Sequence, residues 1–447
     1  MGGSVFTEKE IVELNVIGGL NTPRMPKDVY QYSLARIEKL LKPHFTTVGY
    51  PLEAPEKNDY GDIDISVSEP INEDLVTTNV TCTGDVLKTI IGAAQWKHTK
   101  GSTIYHFAIR WPDEAEIQTM VGREDVDVDL APAGPQSDKP FIHQSDQKEA
   151  SYKGRYIQID INLCESSASL AWNLFINAHG GIWEILGGII RPYGLTCTDK
   201  GLFMRIAEIE SKDKKKSRVF VTDNSDDVLS YLGLDVHRYH RPFTSKTQLM
   251  EYAASCHFHR PDKKLELNGS DKQRIGKRTL YTTWVEVYLP TRSDGVPGSK
   301  CSLSRVEVID DCKAFFGPEF ASRFDEQKAK YVREVQEQAL WQGIRKLSSH
   351  WSPEKKEDKT YMIKGMKREI AGEDLEWGSE QEKEYRGVCL MRKAYKEGRF
   401  DAVLGWAMLN VQAVTERQRA FTKHKSAQHF AGHKRQEKDN EAAVESS

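Results

Sequence analysis

Two aspartates separated by one apolar residue, Asp62 and Asp64, lie in the run Tyr60, Gly61, Asp62, Ile63, Asp64, Ile65, Ser66, Val67. This alternation is that of a half-buried strand, which sends Ile63 and Ile65 into a core and both carboxylates to the opposite side. Hard divalent cations such as Mg2+ or Mn2+ choose oxygen donors. A pair of such ions ~3.5 to 4 Å apart stabilises both the attacking and the leaving oxygen of a displacement. A third carboxylate would complete the set, and Asp160 can supply it. Ile157, Ile159, Ile161 and Leu163 share one face of a second strand, leaving Asp160 on the other face to line a cleft beside Asp62 and Asp64. Asp125, Asp127 and Asp129 also alternate, but Pro132, Gly134 and Pro135 follow closely, which reads as a solvated edge or loop.

The elements that must position these residues follow from periodicity. Val29, Leu34, Ile37, Leu40 and Leu41 predict an amphipathic helix over 28–42. Val48 and Gly49 then open a loop rich in Pro, Glu, Lys and Asn that ends at Gly61 and delivers the chain into the Asp62 strand. Thr83 is expected to cap a helix, residues 102–111 form a strand, and 112–153 are acidic and turn-rich. After the strand 155–163, helical patterning over 169–190 breaks at Gly180 and Gly181. Asp199 and Lys200 predict a tight turn between strands at 195–198 and 201–206. A capped helix over 225–234 ends at Gly233, and helices dominate beyond it. The expected fold class is α+β, a mixed sheet flanked by helices followed by a mainly helical C-terminal region. The expected segments are 1–27, a sheet domain over 28–220, a helical region over 221–425, and a disordered tail over 426–447.

Composition restricts the function classes. With 447 residues the chain can bury a sizeable core. A net charge of −3 excludes a protein that is basic throughout, so nucleic-acid contact would come from local patches. The seven cysteines are scattered and form no CxxC pair, which fits a reducing compartment. No signal-peptide core and no apolar stretch near ~20 residues is present. The chain is therefore expected in the cytoplasm or nucleus, off the membrane.

Two blocks give these residues a family resemblance. The strand around Gly61, Asp62 and Asp64, and the longer run from Ile157 through Asp160, Trp172, Phe175, the Gly188-Ile-Ile-Arg-Pro-Tyr-Gly-Leu-Thr196 segment and Phe203, resemble the palm of the nucleotidyltransferase superfamily, in particular DNA polymerase family X. A weaker echo follows at residues 226–242, and coverage is about residues 30 to 245. The remainder has only a loose likeness to fungal proteins with the same core. The resemblance implies a nucleotidyltransferase-like sheet. Asp62 and Asp64 would bind two ions (Mg2+ or Mn2+), and Asp160 would bind the catalytic one. Transfer would run from an NTP or dNTP to a hydroxyl, a nucleic-acid 3' end being favoured, with pyrophosphate leaving. Gly49, Tyr50 and Gly61 are the implied nucleotide contacts. Tyr50 departs from the family, which has a small residue there to hold the triphosphate. Two other readings stay open: a catalytically degenerate binding or scaffold protein, and a nucleotidyltransferase acting on a small molecule or protein.

Other features read more plainly. Basic clusters at 212–218 and at Lys263, Lys264, Lys272, Arg274, Lys277 and Arg278, the latter with Tyr281 and Trp284, could track a phosphate backbone or be solvated surface. His237, His240, Cys256, His257 and His259 invite a zinc reading that adjacent Cys and His side chains make awkward. Trp172, Phe175, Ile176, Trp183 and Ile190 are at core spacing, and Gly187 and Gly188 permit close packing or backbone approach to a substrate.

Overall fold

A computed structural model describes residues 5–6, 19–121, 154–260, 269–275, 277–291, 303–350, 357–372 and 386–445. Asp125, Asp127, Asp129, Lys263 and Lys264 lie outside the described residues. The first element, α1 (Lys27–Leu41), buries Val29, Tyr30, Leu34, Ile37 and Leu41, an apolar stripe at helical spacing. Strand β1 (Phe45–Gly49) pairs antiparallel with β2 (Ile63–Pro70). Helix α2 (Val80–Ile91) begins one turn before the expected position: Asn79 is its cap, accepting from the Thr81 and Cys82 amides, and it ends on left-handed Gly92. Thr83 is buried inside the helix and bonds the Thr77 backbone. Gly84 meets the Trp96 ring, 2.5 Å from where a Cβ would stand, so the helix can lie against β3 (Gln95–His98) only without a side chain there.

β3 pairs with β4 (Ile104–Arg110), and after α3 (Glu114–Val121) the chain returns as β5 (Tyr156–Cys164). The sheet runs in the order β1-β2-β5-β4-β3. β5 is inserted between the two hairpins, parallel to β2 and antiparallel to β4. Ile63, Ile65, Val67, Tyr105, Phe107, Ile109, Ile157, Ile159 and Ile161 form one face and join α1 and α2 in a single core. At about 25 cal/mol per Å2 of apolar surface removed from water, covering this face stabilises the sheet.

Over the β1–β2 end of the other face lies α4 (Ser167–Asn177), opened by a Ser166/Ser169 capping box. Ser66 donates to Asn173 Oδ1 at 2.8 Å, and a Cβ at Gly49 would stand 2.7 Å from Leu174 Cδ1. The break before α5 (Ile182–Ile190) is tied by a hydrogen-bonded knot. Tyr239 donates to the Phe175 carbonyl, Trp183 donates to the Tyr239 hydroxyl, and His179 Nε2 donates to the Tyr239 carbonyl. The His179 amide also donates to Leu52 at 2.6 Å, which anchors the loop between β1 and β2. Trp172, Phe175, Trp183 and Ile190 are core. A Cβ at Gly187 or Gly188 would meet nothing within 4 Å, so close packing requires neither glycine.

A second sheet, β6 (Leu195–Thr198), β7 (Gly201–Arg205) and β8 (Arg218–Thr222), contains the expected turn at Asp199 and Lys200. By compactness the chain divides into residues 1–321 and 322–447, a division that runs differently from the sequence boundaries at 220 and 425. The second unit is helical: residues from the helix Pro318–His350, Asp358–Ala371, Arg386–Lys396 and Phe400–Glu445 share a core of Leu340, Ile344, Met362, Met366, Ile370, Val403 and Val414. There Glu369 accepts two bonds from Arg417, and Asp358 pairs with Arg419. The tail expected to be disordered continues as helix to Glu445, a composition of Ala, Gln, Glu, Lys and Arg being strongly helix-forming. The fold class is thus α+β, with a five-stranded mixed sheet flanked by helices and a mainly helical C-terminal region.

Candidate active site

Because β2 and β5 are parallel neighbours in exact alternation with the core, their polar residues share one face. Asp64 stands directly opposite Asp160, on strands about 4.8 Å apart. Asp62 lies one residue before β2, half-buried, after the buried bend at Gly61. Asp64 is held up at about 7, by burial first and then by the charges of Asp62, Asp160 and Glu53, with Lys57 opposing. Asp62 is raised too, chiefly by burial and then by Asp160, again against Lys57. Asp64 is nevertheless exposed to water, so burial here means dense protein and like charge around the carboxylate rather than a sealed cavity.

Asp160 is anchored from two sides. His106, its cross-strand partner on β4, bonds Oδ1 through Nδ1 at 2.8 Å, and Gln158 Nε2 donates to the same oxygen at 2.9 Å. An ionised carboxylate only accepts, so the His106 proton sits on Nδ1. The His106 pKa is raised, first by this hydrogen bond, with burial opposing.

The loop that precedes Asp62 carries further groups. Tyr60 stacks on Tyr30 with ring centroids 3.9 Å apart, and the Tyr30 hydroxyl donates to Glu53 at 2.5 Å. Lys57 bonds Glu53 at 2.6 Å and stands 4.5 Å from the Tyr60 ring centre. This loop thus delivers a cation whose field reaches both Asp62 and Asp64. Gly49 ends β1, while Tyr50 is 40% exposed.

The donor chemistry of Asp62, Asp64 and Asp160 fits a hard divalent cation: all the donors are carboxylate oxygens, and the charge of Asp160 raises both Asp62 and Asp64. Among the described residues, however, no three His, Cys, Asp or Glu side chains are gathered into a finished cation cage. Asp160 Oδ1 is committed to His106 and Gln158 instead. The histidine and cysteine set does not gather either. His240 bonds Asp226, His257 packs on Phe258, and His259 packs on Trp284. Tyr281 and Trp284, considered above as base-stacking residues, are each 1% exposed and belong to a core. Lys212, Lys214 and Lys215 are exposed.

The sequence reading assigned no role to His106, Gln158, Glu53 or Lys57. The polar parity of His106 within its strand was the available signal for it. The pairing with Asp160 depends on a register that local pattern does not carry.

No protein-family model matches the chain, and no curated protein is similar to it. Among solved structures it is similar to a ternary P/T complex of Leishmania infantum polymerase beta, at 16% identity over 49% of this chain and 77% of that one, with a TM-score of 0.29. It is also similar to a ternary gap complex of the same polymerase, at 15% identity over 49% and 70% of the two chains, with a TM-score of 0.28. No helix among the described residues is long and apolar enough to cross a membrane.

Proposed function

We propose that the chain is a divalent-metal-dependent nucleotidyltransferase. It moves a nucleoside monophosphate from an NTP or dNTP to a hydroxyl acceptor, favouring a nucleic-acid 3' end, and releases pyrophosphate. The observation that carries this reading is the direct pairing of Asp64 with Asp160 on the face of the sheet opposite its core, with Asp62 two residues before Asp64 at the mouth of the strand. Asp62, Asp64 and Asp160 would hold the ions, Mg2+ or Mn2+. The bound ions would supply charge neutralisation at the phosphate and a lowered pKa for the attacking hydroxyl. Lys57 is the protein's own cation beside this centre, suited to the charge of a triphosphate. A buried bend at Gly61 leads the chain into the strand, and Gly49 leaves room for Leu174. Positioning and charge neutralisation are the main catalytic terms in such transfers. The six described cysteines are free thiols, which motivates a cytoplasmic or nuclear location within this proposal.

Incubation with labelled NTPs or dNTPs, Mn2+ or Mg2+, and oligonucleotide, small-molecule or protein acceptors should give transfer that Asp64→Asn removes. Transfer of undiminished rate in that variant would sink the proposal. The half-exposed Tyr50, standing where the family resemblance implies a small residue, favours a second reading, a non-catalytic nucleotide-binding protein. Metal-dependent NTP binding in calorimetry without transfer to any acceptor would select it. Tyr50→Ser separates the two: faster transfer or tighter NTP binding would identify Tyr50 as a partial block.

A further inference from the structure

The polar face of the sheet carries one straight row across four strands: Lys97 on β3, His106 on β4, Asp160 on β5 and Asp64 on β2. Beside it, Ala108 and Gln158 on the same face are almost wholly buried, at 0% and 2% exposure. A residue pair from far away in sequence accompanies them. Phe6 is fully buried, its ring centre 5.4 Å from Lys97 Nζ, and Lys97 donates to the Val5 carbonyl at 2.7 Å. The Val5 amide donates to Gln158 Oε1 at 3.2 Å.

These contacts fix a direction. A backbone amide can only donate and an ionised carboxylate can only accept, so Gln158 must turn its oxygen to Val5 and its nitrogen to Asp160. Both bonds to the Asp160 carboxylate, from Gln158 and from His106, end on Oδ1. The other oxygen, Oδ2, takes part in neither bond and is the one left for a ligand.

We propose that His106, Gln158 and the segment containing Val5 and Phe6 are positioning residues that hold Asp160 so that Oδ2 is offered to a divalent cation, making this N-terminal segment a working part of the site. The inference rests on the nucleotidyltransferase reading, because it needs a cation at Asp160. It goes further by bringing into the site a segment about 150 residues upstream of β5. If the segment merely seals an apolar patch, releasing it changes stability and leaves cation affinity alone.

The test is Mn2+ titration of the full chain by calorimetry, without nucleotide, at fixed pH. His106→Leu, Gln158→Met and Phe6→Ala should each weaken Mn2+ binding about 10- to 100-fold, the usual effect of removing a group that orients a ligand. His106→Asn keeps an N–H donor near the Nδ1 position and should restore most of the affinity that His106→Leu loses. Circular dichroism identifies any variant that fails to fold, and the His106→Asn against His106→Leu contrast is read between folded proteins. Wild-type affinity in all three disruptive variants overturns this proposal alone. An Asn variant no better than Leu removes His106 from it. Failure of the unaltered chain to bind Mn2+ overturns the nucleotidyltransferase reading, and this one with it.

Discussion

The two faces of the five-stranded sheet are built from the same strands and have opposite economies. On one face Ile63, Ile65, Phe107, Ile157, Ile159 and Ile161 are all at or below 1% exposure and make the core. On the other, one residue along each strand, stand Asp64, His106, Gln158 and Asp160, the last three joined by hydrogen bonds and Asp64 facing Asp160 as a like charge. The apolar face lowers the free energy of the fold as it is covered, whereas on the polar face the dense protein and like charges around Asp64 raise its pKa. A strand can serve both ends because its side chains alternate, and a shift of one residue would exchange them.

Changes to the two faces should therefore fail in different ways. Phe107→Ala, on the apolar face, should lower unfolding free energy by about 3 to 5 kcal/mol in urea titration, the usual cost of truncating a buried aromatic. A cost below ~1 kcal/mol would show that this face is not the core of the sheet. Asp160→Ala, on the polar face, should reduce transfer by about 10^2- to 10^3-fold while the far-ultraviolet spectrum stays that of the unaltered protein. Equal loss of structure in both variants would erase the distinction between the faces. Lys57→Ala, in the loop beside that face, should raise the KM for NTP about tenfold, equivalent to ~1.4 kcal/mol, with a smaller change in kcat. An unchanged KM would remove Lys57 from triphosphate binding.

A further effect is one of pH. Asp64 keeps its proton in the folded protein up to about 7, far above the ordinary 3.8, so the folded state binds more protons than the unfolded one between these values. Without added metal, stability should fall as pH rises through that window. Asp64→Asn should be free of this loss, melting higher than the unaltered protein at pH 8 and matching it near pH 4. Parallel melting curves at both pH values would mean that Asp64 is not raised.

The apolar alternation of β2 and β5 was legible because each strand places Ile or Val at every second position through its centre, and the turn at Asp199 and Lys200 was legible from its flanking strands. β1 and β3 were not: both are short edge strands with half-exposed polar residues and little alternation. Asn79 rather than Thr83 caps α2 because the helix starts a turn earlier, where an Asn side chain can reach two free amides. The carboxylates were visible from residue type and local period. Their surroundings were not, since His106 meets Asp160 across 54 residues and Val5 meets Gln158 across 153, distances at which local pattern is silent.

The insertion of β5 between two hairpins also bears on how the molecule assembles. The β1–β2 and β3–β4 hairpins are each local in sequence and can form while the chain is still being made. Their facing edges, on β2 and β4, stay unpaired until the central strand has emerged and closed a long loop. The strand carrying Asp160 is thus the one that turns two separate ribbons into a sheet. Newly made chains would have no assembled centre, and would be most prone to sticking to one another, in the interval before β5 arrives.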